Sequence, residues 1–196
     1  MTVSSLVLTD AVLCLVTLAV ALRRGSPWLL RVAAASFSLA SFLGVLRFSG
    51  LYPDPLFHQA FSALSGTAGF PAMALACLRP QWKVSQDGRR ALALVALLGL
   101  IGIIIVLVFT LRVYLVAVTL GALLAALAGA CRQRRWLELV SVLVMIGGAL
   151  VFAAKQPLVP GLEPADILHL ALALGWLGIS QRFIANRQAV NDLSPS

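Results

Sequence analysis

The sequence predicts an all-α, polytopic membrane protein of seven transmembrane helices, with its N-terminus outside and its C-terminus inside. Three observations carry that prediction. Hydrophobic residues make up 61% of the 196-residue chain and charged residues only 11%, where a soluble domain has about a quarter of its residues charged. The mean hydropathy is +0.99, too high for a surface that water must coat. The basic residues fall in short clusters between long apolar runs, which is how topology-setting charges are distributed. A net charge of +8 spread in this way offers no continuous basic face. Nucleic acid is therefore not an expected partner, and the lipid bilayer is.

A spanning helix takes about 20 mostly apolar residues. The first run, 4–22, contains Asp10 and is followed, not preceded, by its arginines, Arg23 and Arg24. It reads as a retained helix, since a signal peptide carries its positive charge first. The second, 28–49, starts at Trp28 and ends near Arg47. The third, 56–78, follows the turn-forming "YPDP", where Asp54 is placed to cap it. Gly69 and Pro71 within it predict a bend or a loosened turn. The fourth and fifth, 90–110 and 113–131, are separated by little more than "TLR". The sixth, 136–154, gives way to Lys155 and Gln156, and the seventh, 165–184, opens after Glu163 and Pro164. Residues 1–186 then form one membrane domain and residues 187–196 a polar, flexible cytoplasmic tail.

The charges test this arrangement. Of 15 Lys and Arg residues, only Arg47, Arg112 and Lys155 fall on the outer segments. The rest lie inside, as the positive-inside rule requires. Trp28, Trp82 and Trp136 fall at the inner interface, where indole rings anchor helices.

An internal repeat is also expected. Aligned at Trp28 and Trp136, the second and sixth runs place Arg47 opposite Lys155. The chain's 2 histidines, His58 and His169, then take corresponding places once the longer loop before the seventh run is allowed for. This predicts parallel repeats over 4–78 and 113–184, joined by a linker helix at 90–110.

Ionisable side chains within spans face the bundle interior and pair. Asp10 lies in the outer part of the first run, Arg47 ends the second, and His58, with Gln59 and Ser62, opens the third. Lys155 ends the sixth, and Asp166 and His169 open the seventh as "DILH". Asp10, Arg47, His58, Lys155, Asp166 and His169 thus define a candidate ligand site at the extracytoplasmic mouth. Each has a plainer reading. Asp166 caps its helix, Lys155 snorkels to the interface, and Asp10 joins a structural ion pair. A carboxylate in an apolar helix costs about 2.5–3.5 kcal/mol on insertion scales, so Asp10 needs a partner in either case. The small-residue pairs Ser62–Gly66 and Ala171–Gly175 favour close helix packing. Cys14, Cys77 and Cys131 have no metal-ligand spacing and read as small apolar residues.

No Walker loop, H-E-x-x-H or G-x-S-x-G motif occurs. A noncatalytic role is the first expectation: binding or transport of a small polar or anionic ligand, which a set of Arg, Lys and protonatable His suits. One alternative is a metal-dependent membrane hydrolase, with zinc on His58, His169 and Asp10 or Asp166, since three protein ligands and a water suit catalytic zinc. Arg47 and Lys155 would repel such a cation, so no cofactor is the first expectation. A structural or interaction subunit is the other alternative. Ligand identity and oligomeric state are left open.

Thr9 and Asp10 in the first run, with the D-x-x-H of Asp166 and His169 opening the last, resemble a bacterial seven-helix family of unknown function. The resemblance spans most of the chain and implies an inner-membrane location, with no activity attached. The topology is more distantly similar to the ceramidase-like membrane hydrolases, which hold zinc with three histidines, two of them four residues apart on the last helix. Here the chain has 2 histidines in all, and position 173 is Ala. The 3+1+3 plan is also similar to the SWEET sugar transporters, although "RPQW" at 79–82 stands at the opposite end of the third run from their proline–glutamine motif.

The predicted topology is checked with reporter fusions. A phosphatase active only outside the cytoplasm is expected to work when fused after Gly50 and to be silent when fused after Val190.

Overall fold

With no water in a bilayer core, every backbone N–H and C=O must be satisfied within the chain. The computed structural model describes residues 4–52, 54–155, 159 and 161–192, with side chains through Phe183, and all regular structure among these residues is helical. Helix α1 is Ser5–Leu22 and α2 is Trp28–Phe48. α3 (Pro55–Leu64) passes through a π turn, Ser65–Gly69, into α4 (Phe70–Leu78). The short α5 (Lys83–Gln86) leads into α6 (Gly88–Ile103), which ends in a second π turn, Ile104–Val108. α7 is Arg112–Arg132, α8 is Trp136–Ala154 and α9 is Pro164–Asp192. Gln156 and residues 193–196 lie outside the described residues, as does the side chain of Arg187.

Six rods are long and apolar enough to cross a membrane: α1, α2, α3–α4, α6 with its π turn, α7 and α8. The expectation of a seventh span rests on α9, which carries Asp166, His169 and Arg182. Up to α8, the ends of the apolar runs match the helix ends to within about two residues. The "TLR" break is sharp. The fourth rod ends at Val108, Thr110 adopts φ 54°, and α7 begins at Arg112. A β-branched residue in the left-handed region is a strained position, and this one turns the chain back in three residues.

Local caps account for several helix ends. Asp54 accepts from Leu56 N at 2.8 Å, with Pro55 as the first helical residue. Asp87 accepts from the amides of Arg89 and Arg90. The last turn of α1 is closed by Arg31 Nε, which donates to Ala21 O at 2.8 Å.

Six rods close a ring: α1 packs on α2, α2 on α3–α4, α4 on α7, α7 on α8, α8 on α9, and α9 back on α1. α6 stands outside this ring, against α2, α3 and the first π turn. The centre is filled by Phe37 of α2, which meets the Phe70 ring edge-on at 4.8 Å and the fully buried Trp176 of α9 at 5.3 Å. Outward faces carry exposed Leu8, Leu15, Leu97, Leu100, Val116 and Leu150, an apolar surface suited to lipid contact. The expected repeat is not established. Two-fold repeats would give the same ring order, yet α1 and α2 pack far more closely than α7 and α8, and the π turn of the first half has no counterpart in α9.

That π turn is where Gly69 and Pro71 predict a loosened helix. Pro71 has no N–H to give the carbonyl one turn earlier, and the chain widens just before it. All five π-turn residues are buried. A neighbour takes up a freed carbonyl, as Thr119 Oγ1 of α7 donates to Gly66 O at 3.1 Å, and the turn is tied to α2 by Ser65 Oγ, which donates to Ser36 O at 2.9 Å. Thr67 lies so close to α6 that a Cβ on Gly102 would overlap its hydroxyl.

Gly102→Ala is therefore expected to cost about 1–3 kcal/mol through overpacking. Gly121→Ala, with nothing within 4 Å of the added methyl, should instead stabilise by up to about 1 kcal/mol, because Ala is the better helix former. Thermal unfolding midpoints in one detergent provide the comparison.

Candidate functional site

The N-terminal turns of α1 and α9 are joined through consecutive residues of one helix and residues three apart on the other. Thr9 Oγ1 donates to Asp166 Oδ1 at 2.8 Å and Ser5 Oγ donates to Asp166 Oδ2 at 2.7 Å. The same Oδ2 accepts from Glu163 N at 2.9 Å, so Asp166 reaches back from the first turn of α9 to cap it. Fully buried, this carboxylate has three donors, and hydrogen bonds to a charged group contribute about 1.5–3 kcal/mol each.

One residue beyond Thr9, Asp10 Oδ1 stands 3.4 Å from His169 Nδ1. The two are close enough to pair electrostatically, but neither Asp10 Oδ2 nor His169 Nδ1 makes an aligned hydrogen bond. Asp10 is 1% exposed and fits only because α2 has Gly44 opposite it, where a Cβ would overlap the carboxylate. The seam between α1, α2 and α9 is thus closely packed around Asp10.

An open space lies beside the C-terminal end of α2. A cavity of about 380 Å³ is lined by Arg47, His58, Gln59, Ser62, Val106, Leu107, Thr110 and Arg112. Its walls come from the end of α2, the start of α3, the second π turn and the start of α7. Arg47 Nη1 lies 3.1 Å from His58 Nδ1, and the Phe48 ring meets the imidazole edge-on at 5.6 Å. The lining holds two permanent cations and no acid.

Of the six expected site residues, Arg47 and His58 line this cavity, while Asp10, Asp166 and His169 meet along the contact between α1 and α9. Lys155 is exposed at the end of α8, with φ 54°. Arg112 joins the cavity although its position reads as a topology charge. One signal does mark it: no other charged residue stands between Arg90 and Arg132.

As a zinc set, His58, His169 and Asp10 are poorly matched. His58 presents Nδ1 to a guanidinium, and His169 presents its own to a carboxylate within the seam. Among the described residues, no three His, Cys, Asp or Glu side chains are grouped to hold a metal.

A second buried polar centre lies at the opposite end of the bundle, where the sequence reads only as positive-inside charge. Glu138 of α8, 3% exposed, pairs with Arg182 of α9 and lies 3.5 Å from Arg135 Nη1. Both arginines also donate to Cys77 O at the end of α4, at 3.0 and 3.2 Å. This knot ties α4, α8 and α9 together and caps α4. Its trace in the sequence is a lone acid three residues after Arg135 in a basic cluster.

A family profile described as "Family of unknown function (DUF6962)" matches residues 5–185. No curated protein and no solved structure matches the chain.

The knot around Glu138 makes a stability prediction. Glu138→Ala leaves buried arginine charge uncompensated and is expected to cost about 3–5 kcal/mol, whereas Glu138→Leu combined with Arg182→Leu should recover most of that loss. A double-mutant cycle on unfolding midpoints reads the coupling.

Proposed function

Because the chain belongs to this family of unknown function, kinship names no activity, and we propose from the outer cavity that the protein binds or transports a small anion at the extracytoplasmic side of a membrane. The observation that carries this reading is the pairing of Arg47 and Arg112 around one cavity with no acid in its lining. Two cations facing each other across a partly apolar cavity repel, and an anion between them removes that cost. Gln59, Ser62 and Thr110 add neutral donors for oxygen atoms, while Val106 and Leu107 limit the water that would screen the charges. A space of about 380 Å³ falls at the small end of ligand sites.

In this reading α9 is the seventh span, the N-terminus is outside, and the Asp10–His169 and Thr9–Asp166 contacts hold α1, α2 and α9 in place beside the cavity. The two π turns suit movement as well as binding, because such turns are weak points in a helix and frequent at functional sites. The internal repeat is not required.

The test is equilibrium binding of sulfate, acetate and succinate to the purified full-length protein. Saturable binding of at least one is expected. Arg112→Ala and Arg47→Ala should each weaken it about 10- to 100-fold, the worth of a lost charge-assisted hydrogen bond. Lys155→Ala, outside the cavity, should leave it unchanged. Absence of saturable binding across the three anions, or indifference to Arg112→Ala, rejects the site. Uptake of the bound anion into proteoliposomes then separates transport from binding alone.

A further inference from the structure

The contact between Arg47 and His58 fixes the state of the imidazole. A guanidinium has five N–H donors and no acceptor, and it stays charged throughout the ordinary pH range. At 3.1 Å from Arg47 Nη1, His58 Nδ1 must therefore be the acceptor. The ring proton then sits on Nε2 and His58 is neutral. In the anion-free molecule His58 thus engages one of the donors that an anion would want. Protonation of Nδ1 abolishes that lone pair, so the Arg47–His58 hydrogen bond cannot survive it.

We propose that the outer cavity takes up its anion together with a proton, which His58 receives at Nδ1. The step balances simply. A proton from the outer solution forms the Nδ1–H bond, the Arg47 Nη1–H···Nδ1 hydrogen bond breaks, and the released Arg47 N–H and the new Nδ1–H both turn to the same oxyanion. The anion offsets the charge that the imidazole gains beside Arg47 and Arg112, so each of the two binding events favours the other. This rests on the anion-binding reading and adds to it a coupled ion and a direction of pH dependence.

The groups facing His58 agree with that direction. From α2 come Arg47 and the edge of Phe48. Arg112 and Thr110 stand across the cavity, and the second π turn contributes Val106 and Leu107, neither titratable. On its own helix, Asp54 is exposed and already accepts from Leu56 N. On α9, His169 is backed by Asp10, 3.4 Å from its Nδ1. No carboxylate lines the cavity, so protonated His58 needs the incoming anion as its counter-charge.

Sulfate is the probe, because its charge stays constant between about pH 5 and about pH 8, the range in which imidazoles ordinarily titrate. Its affinity for the purified full-length protein is expected to fall as pH rises, by up to about tenfold per pH unit for one linked proton. Calorimetry of the unaltered protein in buffers of different ionisation heat should show proton uptake on binding, a count that needs no variant. His58→Gln should flatten the pH dependence, and His169→Gln should keep it. Sulfate binding that is equally tight at every pH, or a slope that survives His58→Gln and disappears in His169→Gln, overturns the proton linkage and leaves the anion site standing. No sulfate binding at any pH, with acetate and succinate equally silent, removes the anion site itself.

Discussion

A carboxylate inside a helix bundle must find a partner, because an uncompensated charge in a low-dielectric interior costs several kcal/mol. That constraint decides where α9 sits. Asp166 needs the hydroxyls of Ser5 and Thr9, and Asp10 needs His169. Both requirements are met only when the start of the last helix lies along the first. The ring closes through this seam at one end of the bundle and through the Glu138–Arg182 pair at the other. Between them the fit is steric, with Trp176 packed on Phe37 and Met145 filling the hollow at Gly175. The polar contacts set the register of α9, and the apolar ones fill the space that register leaves.

Most of the fold is legible in the sequence because one physical rule dominates it. Twenty or so apolar residues make a span, and Gly, Pro or clustered charge ends it. Even the three-residue connection before Arg112 could be placed. The loosened turn at Ser65–Gly69 was legible in kind, from Pro71 and the neighbouring glycines, but not in form. Whether a helix answers a proline with a kink or a π turn depends on which neighbours can take the freed carbonyls, here Thr119 on α7. The ring order was not legible. Apolar periodicity says which residues avoid water, and in lipid nearly all faces do.

The outer polar residues were legible as a set but not in their grouping. Sequence spacing places Asp10, Arg47, His58, Asp166 and His169 at one depth, and depth alone does not tell which side of α2 each occupies. Gly44 and Arg47 stand three apart, on neighbouring faces of that helix, and one borders the seam while the other reaches the open cavity. A fraction of a helix turn separates the buried Asp10–His169 contact from the cavity that Arg47 lines. Arg112 and Glu138 were overlooked because each sits where the positive-inside rule or a helix end already explains a charge. In both cases isolation was the useful signal: one lone cation in a long neutral stretch, one lone acid among arginines.

The π turn in the α3–α4 rod has a geometric consequence for its two ends. Successive residues of an α-helix are rotated by about 100° about the axis, so one surplus residue in a turn resets the phase of everything beyond it. His58 lies on one side of Ser65–Gly69, and Phe70 and Cys77 lie on the other. The imidazole can face Arg47 while Phe70 faces the bundle centre because the rod changes phase between them. Shortened by one residue to a regular spiral, the same rod could satisfy its outer half or its inner half, but not both at once.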